Sequence, residues 1–232
     1  MDICLHYREE GTGFPLILLH GNGENGTYFE HQLAYFSGKF RVIAVDTRGH
    51  GQSPRGTAAF TISQFADDLN DFLEQMEIPQ AVLLGFSDGA NIAMRFALRY
   101  QDKVKALILN GGNLDAGGVK RSVQLPIEIG YHMTRLFSGI SAKARRNHEM
   151  LALMVDDPNI EPSELGAVHV PALVIAGTED MIKEEETRRI AAHIPGARLK
   201  FIKGDHFIAA KAYEKFNEAV DEFLSSLTYE RR

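Results

Sequence analysis

Six short apolar runs, at residues 15–19, 41–45, 81–84, 104–109, 172–176 and 198–202, recur along the chain with amphipathic stretches between them. This rhythm restricts the fold more than any other feature. Most of the runs are rich in Val, Ile and Leu without polar alternation, as strands covered on both faces must be. The stretches between them, at 27–37, 62–77, 88–100, 184–193 and 209–226, have helical spacing; Ala212, Phe216, Ala219, Val220 and Phe223 share one face of the last. Strands alternating with helices imply an α/β fold with a mostly parallel, doubly wound sheet. Residues 3–8 alternate more like a half-exposed strand and are expected to add an antiparallel edge.

The rhythm breaks between Asn113 and Val168. That stretch has no strand pattern but two helix candidates, 126–137 and 141–155, with Leu125, Ile129, Met133 and Leu136 on one face of the first. A short all-helical cap (113–168) inserted within a single domain (1–232) is expected. The chain's 232 residues, 44% of them hydrophobic, suffice for one real core. A net charge of -6 argues against nucleic acid as a partner. The single cysteine, Cys4, excludes an internal disulfide and suits a reducing compartment. The N-terminus lacks a signal-peptide pattern, and no apolar run approaches the roughly 20 residues of a membrane span. The expectation is a cytoplasmic protein with no membrane partner.

One of the strand-to-helix junctions carries chemistry. Gly85-Phe86-Ser87-Asp88-Gly89 follows the run at 81–84 and opens a helix pattern. A serine flanked by glycines at such a tight turn has its hydroxyl lifted above the sheet. A serine alcohol needs a base to become a nucleophile, and the base needs a carboxylate to fix its tautomer. The expected partners follow in the order acid, then histidine, each after a strand. Asp180 follows the run at 172–176 and His206 follows the run at 198–202, with room between them for one helix and one strand. Glu179, Asp205 and above all Asp115, after the strand at 104–109, are the alternative acids.

The tetrahedral intermediate needs backbone donors for its oxyanion. One is the amide of Asp88, directly after the serine; the second belongs to the loop His20-Gly21-Asn22-Gly23, with Asn22 the first choice and Gly23 the fallback. The same loop reads as G-x-G-x-x-G through Gly21, Gly23 and Gly26, with Asp46 at the spacing of a ribose-binding acid. Glu24 counts against this dinucleotide reading, because its carboxylate would share the turn with a pyrophosphate.

Taken together, His20–Gly23, Asp46-Thr47-Arg48-Gly49-His50-Gly51-Gln52-Ser53, the Ser87 elbow, the 170–177 run leading to Asp180, and His206 resemble the α/β-hydrolase fold over nearly the whole chain. The resemblance implies a serine hydrolase of small esters or lactones working through an acyl-enzyme on Ser87, with Asp180 and His206 completing the triad. No cofactor is expected, and because the remaining histidines lack metal-ligand spacing, no metal is expected either. A serine at the elbow departs from the family's aspartate-nucleophile members. Carbon–carbon bond hydrolases, cofactor-free haloperoxidase-like enzymes and non-turnover ligand sensors remain alternatives. The short cap leaves the substrate open, and the sequence does not give the oligomeric state.

Phe86, Met133, Phe137 and Met154 are candidates to line an apolar substrate pocket, with core packing the competing explanation. Between Ala116 and Met150, Lys120, Arg121, Arg135, Lys143, Arg145 and Arg146 face only Glu128 and Glu149, a local balance of +4. A solvated helix face explains it more simply than attraction of an anionic substrate.

Overall fold

The computed structural model describes residues 2–227. Among them, seven strands form one sheet: β1 (Tyr7–Glu10), β2 (Phe14–Leu19), β3 (Phe40–Val45), β4 (Ala81–Phe86), β5 (Val104–Asn110), β6 (Ala172–Gly177) and β7 (Arg198–Ile202). Their order is β1-β3-β2-β4-β5-β6-β7. β1 is the antiparallel edge, with Tyr7 opposite Val45, and every other pair is parallel. The six apolar runs are thus the six parallel strands. The edge strand begins later than its alternation suggests, because Ile3 and Leu5 are buried ahead of it.

Alternation within each strand divides the core in two. Ile17, Leu19, Ile43, Val45, Leu83 and Leu107 project to one face. There they meet α2 (Ile62–Gln75), α3 (Asp88–Arg99) and α6 (Glu184–His193). Leu16, Leu18, Val42, Ala44, Val82 and Ile108 project to the other. That side is covered by α1 (Glu30–Phe36) and by a C-terminal pair, α7 (Ile208–Lys211) and α8 (Tyr213–Ser225). The pair replaces the single helix expected at 209–226, since Ala212 leaves helical geometry at φ -115, ψ 36. Phe216, Ala219, Val220 and Phe223 of α8 are nevertheless all buried, as their spacing requires.

Between β5 and β6 lie α4 (Arg121–Phe137), α5 (Ala142–Val155) and a 3-10 turn (Pro162–Ala167), with Ser141 capping α5. α4 starts before Pro126, so the proline sits inside it. Its apolar stripe turns outward: Leu136 is 73% exposed, with Leu125, Ile129 and Met133 exposed beside it, and Ile140, just past the helix, is 85% exposed. The face against α5 is instead built from Gln124, whose amide donates to the Met154 carbonyl (3.1 Å), and Gly130, which lies against Leu151. No helix of the described residues is long and apolar enough to cross a membrane.

The chain runs from β2 outward to β3 and then returns to place β4 on β2's other side. The carboxyl ends of β2 and β4 therefore flank a topological switch point, where open α/β sheets form crevices.

Candidate active site

Ser87 sits between β4 and α3 at φ 53, ψ -119, a left-handed conformation costly for a residue with a side chain. It is held there from both sides. Its N–H donates to the Asn110 carbonyl of β5 (2.8 Å), and its carbonyl accepts the Ala90 N–H (2.8 Å). The flanking glycines are a steric necessity. A Cβ on Gly85 would fall 2.2 Å from the Gly89 carbonyl oxygen, and one on Gly89 would fall 1.9 Å from that of Leu19.

His206 follows β7, and its Nδ1–H donates to Asp180 Oδ1 at 2.6 Å, with both side chains buried. The same carboxylate oxygen accepts the Ile182 amide at 2.9 Å, which fixes its orientation. His206 Nε2 is buried and has no hydrogen-bond partner. The imidazole packs 4.7 Å from the Phe86 ring, next to Ser87 in the chain. Gly111, at φ 63, makes room for it, since a Cβ there would fall 2.8 Å from His206 Cε1. Nothing in the sequence reading singled out Gly111; its signal is a glycine directly after β5, beside the elbow.

The alternative acids point elsewhere. Asp115 caps a 3-10 turn by accepting the Gly117 amide and faces Arg189 at 3.8 Å. Asp205 accepts the Phe207 amide and pairs with Lys211, which together hold its carboxyl below the ordinary range. Glu179 is exposed.

The loop after β2 lies against the elbow, and a Cβ on Gly21 would be 3.2 Å from Ser87 Cβ. Its turn closes through the Glu24 N–H and the Gly21 carbonyl (3.3 Å), with Gly23 at φ 76. His20 braces it. Thr47 N–H donates to His20 Nε2 (3.0 Å), so Nδ1 carries the proton and donates to the Gly21 carbonyl (2.7 Å). Burial first, then the neighbouring His50, push His20 down to about 4, which keeps it neutral for this role. The Asn22 side chain donates to the Met150 carbonyl of α5 at 2.8 Å. On the opposing side, Asp88 heads α3, where first-turn amides have no intrahelical acceptor.

Asp46 is committed to structure. It accepts the amides of Gly26 (2.7 Å) and Gln52 (2.9 Å) and pairs with His6 (2.9 Å). Burial works to raise its carboxyl, but these bonds outweigh burial and hold it low. A dinucleotide ribose has no free acid here. Among the described residues, no three His, Cys, Asp or Glu side chains group as a metal site would need.

The four pocket candidates are not brought together. Phe86 lies against His206, whereas Met133 and Phe137 line an open groove of about 450 Å³ with Ile140 and Lys143, a lining that contains no member of the Ser87–Asp180–His206 set. The outward turn of the α4 stripe is the reason. Met154 contributes its carbonyl to Gln124. The basic stretch is partly neutralised, Arg121 by Glu128, while Arg145 and Arg146 border a second cavity of about 500 Å³ with Arg55 and Glu149.

A profile for the α/β hydrolase fold matches residues 15–126. The solved enol-lactonase of Burkholderia xenovorans superposes with a TM-score of 0.81 at 23% identity, over 96% of this chain and 97% of that one. The chain has the α/β-hydrolase fold. Among curated relatives, an uncharacterised protein of Mycobacterium tuberculosis is 34% identical over 119 residues. That match covers 51% of this chain and about a third (34%) of the relative's length. The 3-oxoadipate enol-lactonase 2 of Acinetobacter baylyi is 24% identical over 96% of this chain and 94% of its own.

Proposed function

We propose that the protein is a serine hydrolase that cleaves small carboxylic esters or lactones through an acyl-enzyme on Ser87. The observation that carries this reading is the 2.6 Å bond from His206 to Asp180, which leaves a buried, unpartnered Nε2 beside the elbow. His206 Nε2 takes the Ser87 proton as Oγ attacks the carbonyl carbon. Asp180 holds the Nδ1 proton in place and balances the imidazolium. The amides of Asn22 and Asp88 hold the oxyanion, and the α3 N-terminus adds its favourable dipole. Collapse of the intermediate expels the alcohol, which takes the proton from His206. Water, deprotonated by the same imidazole, then releases the acid. Likeness to enol-lactonases over most of the chain supports an ester or lactone carbonyl as the target.

Hydrolysis of p-nitrophenyl butyrate and of simple lactones tests this. Ser87→Ala is expected to lower kcat by on the order of 10³–10⁶-fold. Undiminished turnover in that variant would rule the mechanism out.

A further inference from the structure

The helical cap carries an apolar surface that its own packing leaves uncovered. Leu125, Ile129, Met133 and Leu136 recur at helical spacing and form one ridge along α4, and all four are exposed. Phe137 and Ile140, also exposed, extend the ridge around the end of the helix. Single apolar side chains on a surface are ordinary, but a contiguous group of large ones marks a contact surface. Met133, Phe137 and Ile140 also line the open groove of about 450 Å³ beside α5.

The charges around this ridge are of one sign. Lys143 lines the groove itself. Arg145 donates from Nε to the Ser138 carbonyl at 3.3 Å, which holds it at the turn between α4 and α5. Arg135 is exposed directly before Leu136. The two acids of this stretch are already paired, Glu128 with Arg121 and Glu149 with Arg55. Among the described residues, no ion pair engages Arg135, Lys143 or Arg145. The cap therefore presents apolar side chains and unpaired cations together, on a chain whose net charge is -6.

We propose that this face of the cap docks on an anionic lipid surface, with the ridge sunk below the headgroups and Arg135, Lys143 and Arg145 among the lipid phosphates. An amphipathic helix of this kind lies in the plane of the interface, its apolar side about 5–10 Å into the headgroup and acyl boundary. Lys and Arg suit that boundary, because their long apolar stems let the charge stay at the phosphates while neighbouring side chains enter the hydrocarbon. A second copy of the chain fits the same face poorly, since a two-fold contact would set these cations against their own copies with no free acid between them. Docking of this kind needs no spanning helix. The lack of a long apolar run bears on crossing a membrane, not on lying in its surface. None of these residues belongs to the Ser87, Asp180 and His206 set, so the docking face stands whether or not Ser87 is a nucleophile.

Co-sedimentation of the whole protein with unilamellar vesicles tests this, using phosphatidylcholine alone and phosphatidylcholine mixed with phosphatidylglycerol. The wild type should bind the anionic vesicles at least about tenfold more tightly than the neutral ones, and added salt should erode that preference. Leu136→Gln combined with Ile140→Gln should weaken binding to the anionic vesicles by at least about tenfold. Lys143→Gln combined with Arg145→Gln should remove most of the preference for them. All four positions are exposed, so both double variants should keep a Tm close to that of the wild type. A wild type that leaves both kinds of vesicle unbound, or binds both equally, would overturn the proposal. So would vesicle binding indifferent to both double variants. Self-association in sedimentation velocity, abolished by Leu136→Gln with Ile140→Gln and seen in place of vesicle binding, would give the face to a second copy instead.

Discussion

Asp88 is almost fully buried directly after Ser87, and burial, reinforced by Asp157, raises its carboxyl to about 7. In the unfolded chain the same group ionises near 3.8. Between these values the native state holds a proton that the unfolded state has released, so stability falls as pH rises through that window. Asp88→Asn removes the ionisation. Its stability relative to wild type should therefore be greater at pH 8 than at pH 5, by a few kcal/mol at most. Urea unfolding at the two pH values measures this, and a pH-independent difference would refute it. For the proposed triad acid, Asp180→Asn leaves His206 Nδ1 facing an amide and should lower kcat by on the order of 10³–10⁴-fold. Asp115→Asn, which disturbs only a surface turn, should stay within about twofold of wild type. The reverse ranking in ester hydrolysis would move the acid to Asp115.

At the scale of elements, the elbow is a contact between α3, β2 and β4 as much as a local turn. Gly89→Ala would drive a methyl into the Leu19 carbonyl, where the neighbour is backbone and cannot rotate away. This substitution is expected to cost at least about 2–3 kcal/mol, measurable as a fall in Tm, through overpacking at a fixed site. The outward stripe of α4 behaves oppositely. Leu136→Lys, and Ile140→Lys in the turn that follows the helix, both at highly exposed positions, should each change stability by about 0.5 kcal/mol or less. Periodicity revealed that Leu125, Ile129, Met133 and Leu136 share a face, but not which way that face turns. Gln124 and Gly130, which suit close approach to α5, decide it, and helical pattern gives them no weight. The parallel strands were legible because continuous burial leaves a continuous apolar run. The proposed set of Ser87, Asp180 and His206 was legible because the chemistry proposed for it demands fixed residue types at strand ends. Glu24 could be read only as an obstacle to phosphate. Its burial, and that of the Asp88 carboxyl, is set by packing in the folded chain, for which adjacent sequence holds no signal.

Across the whole molecule, the loop after β3 joins the N-terminus, the helical layer and the site through one buried cation. Arg48 is fully buried and donates twice to Asp68 of α2, both at 2.7 Å, and once to Asp2. The adjoining Thr47 amide holds His20, which in turn holds Gly21 against the elbow. A guanidinium sealed in this way tolerates loss of its partner poorly, because the charge remains buried and uncompensated. Asp68→Ala should therefore destabilise the protein by about 3–5 kcal/mol, whereas Arg48→Met combined with Asp68→Leu, which removes both charges, should recover most of that loss. Urea midpoints of the two variants and the wild type decide the matter. If Asp68→Ala cost under about 1 kcal/mol, Asp2 and the Arg55 carbonyl, which also accept from Arg48, would be sufficient counterparts, and the Asp68 pair would not be what ties this loop to the helical layer.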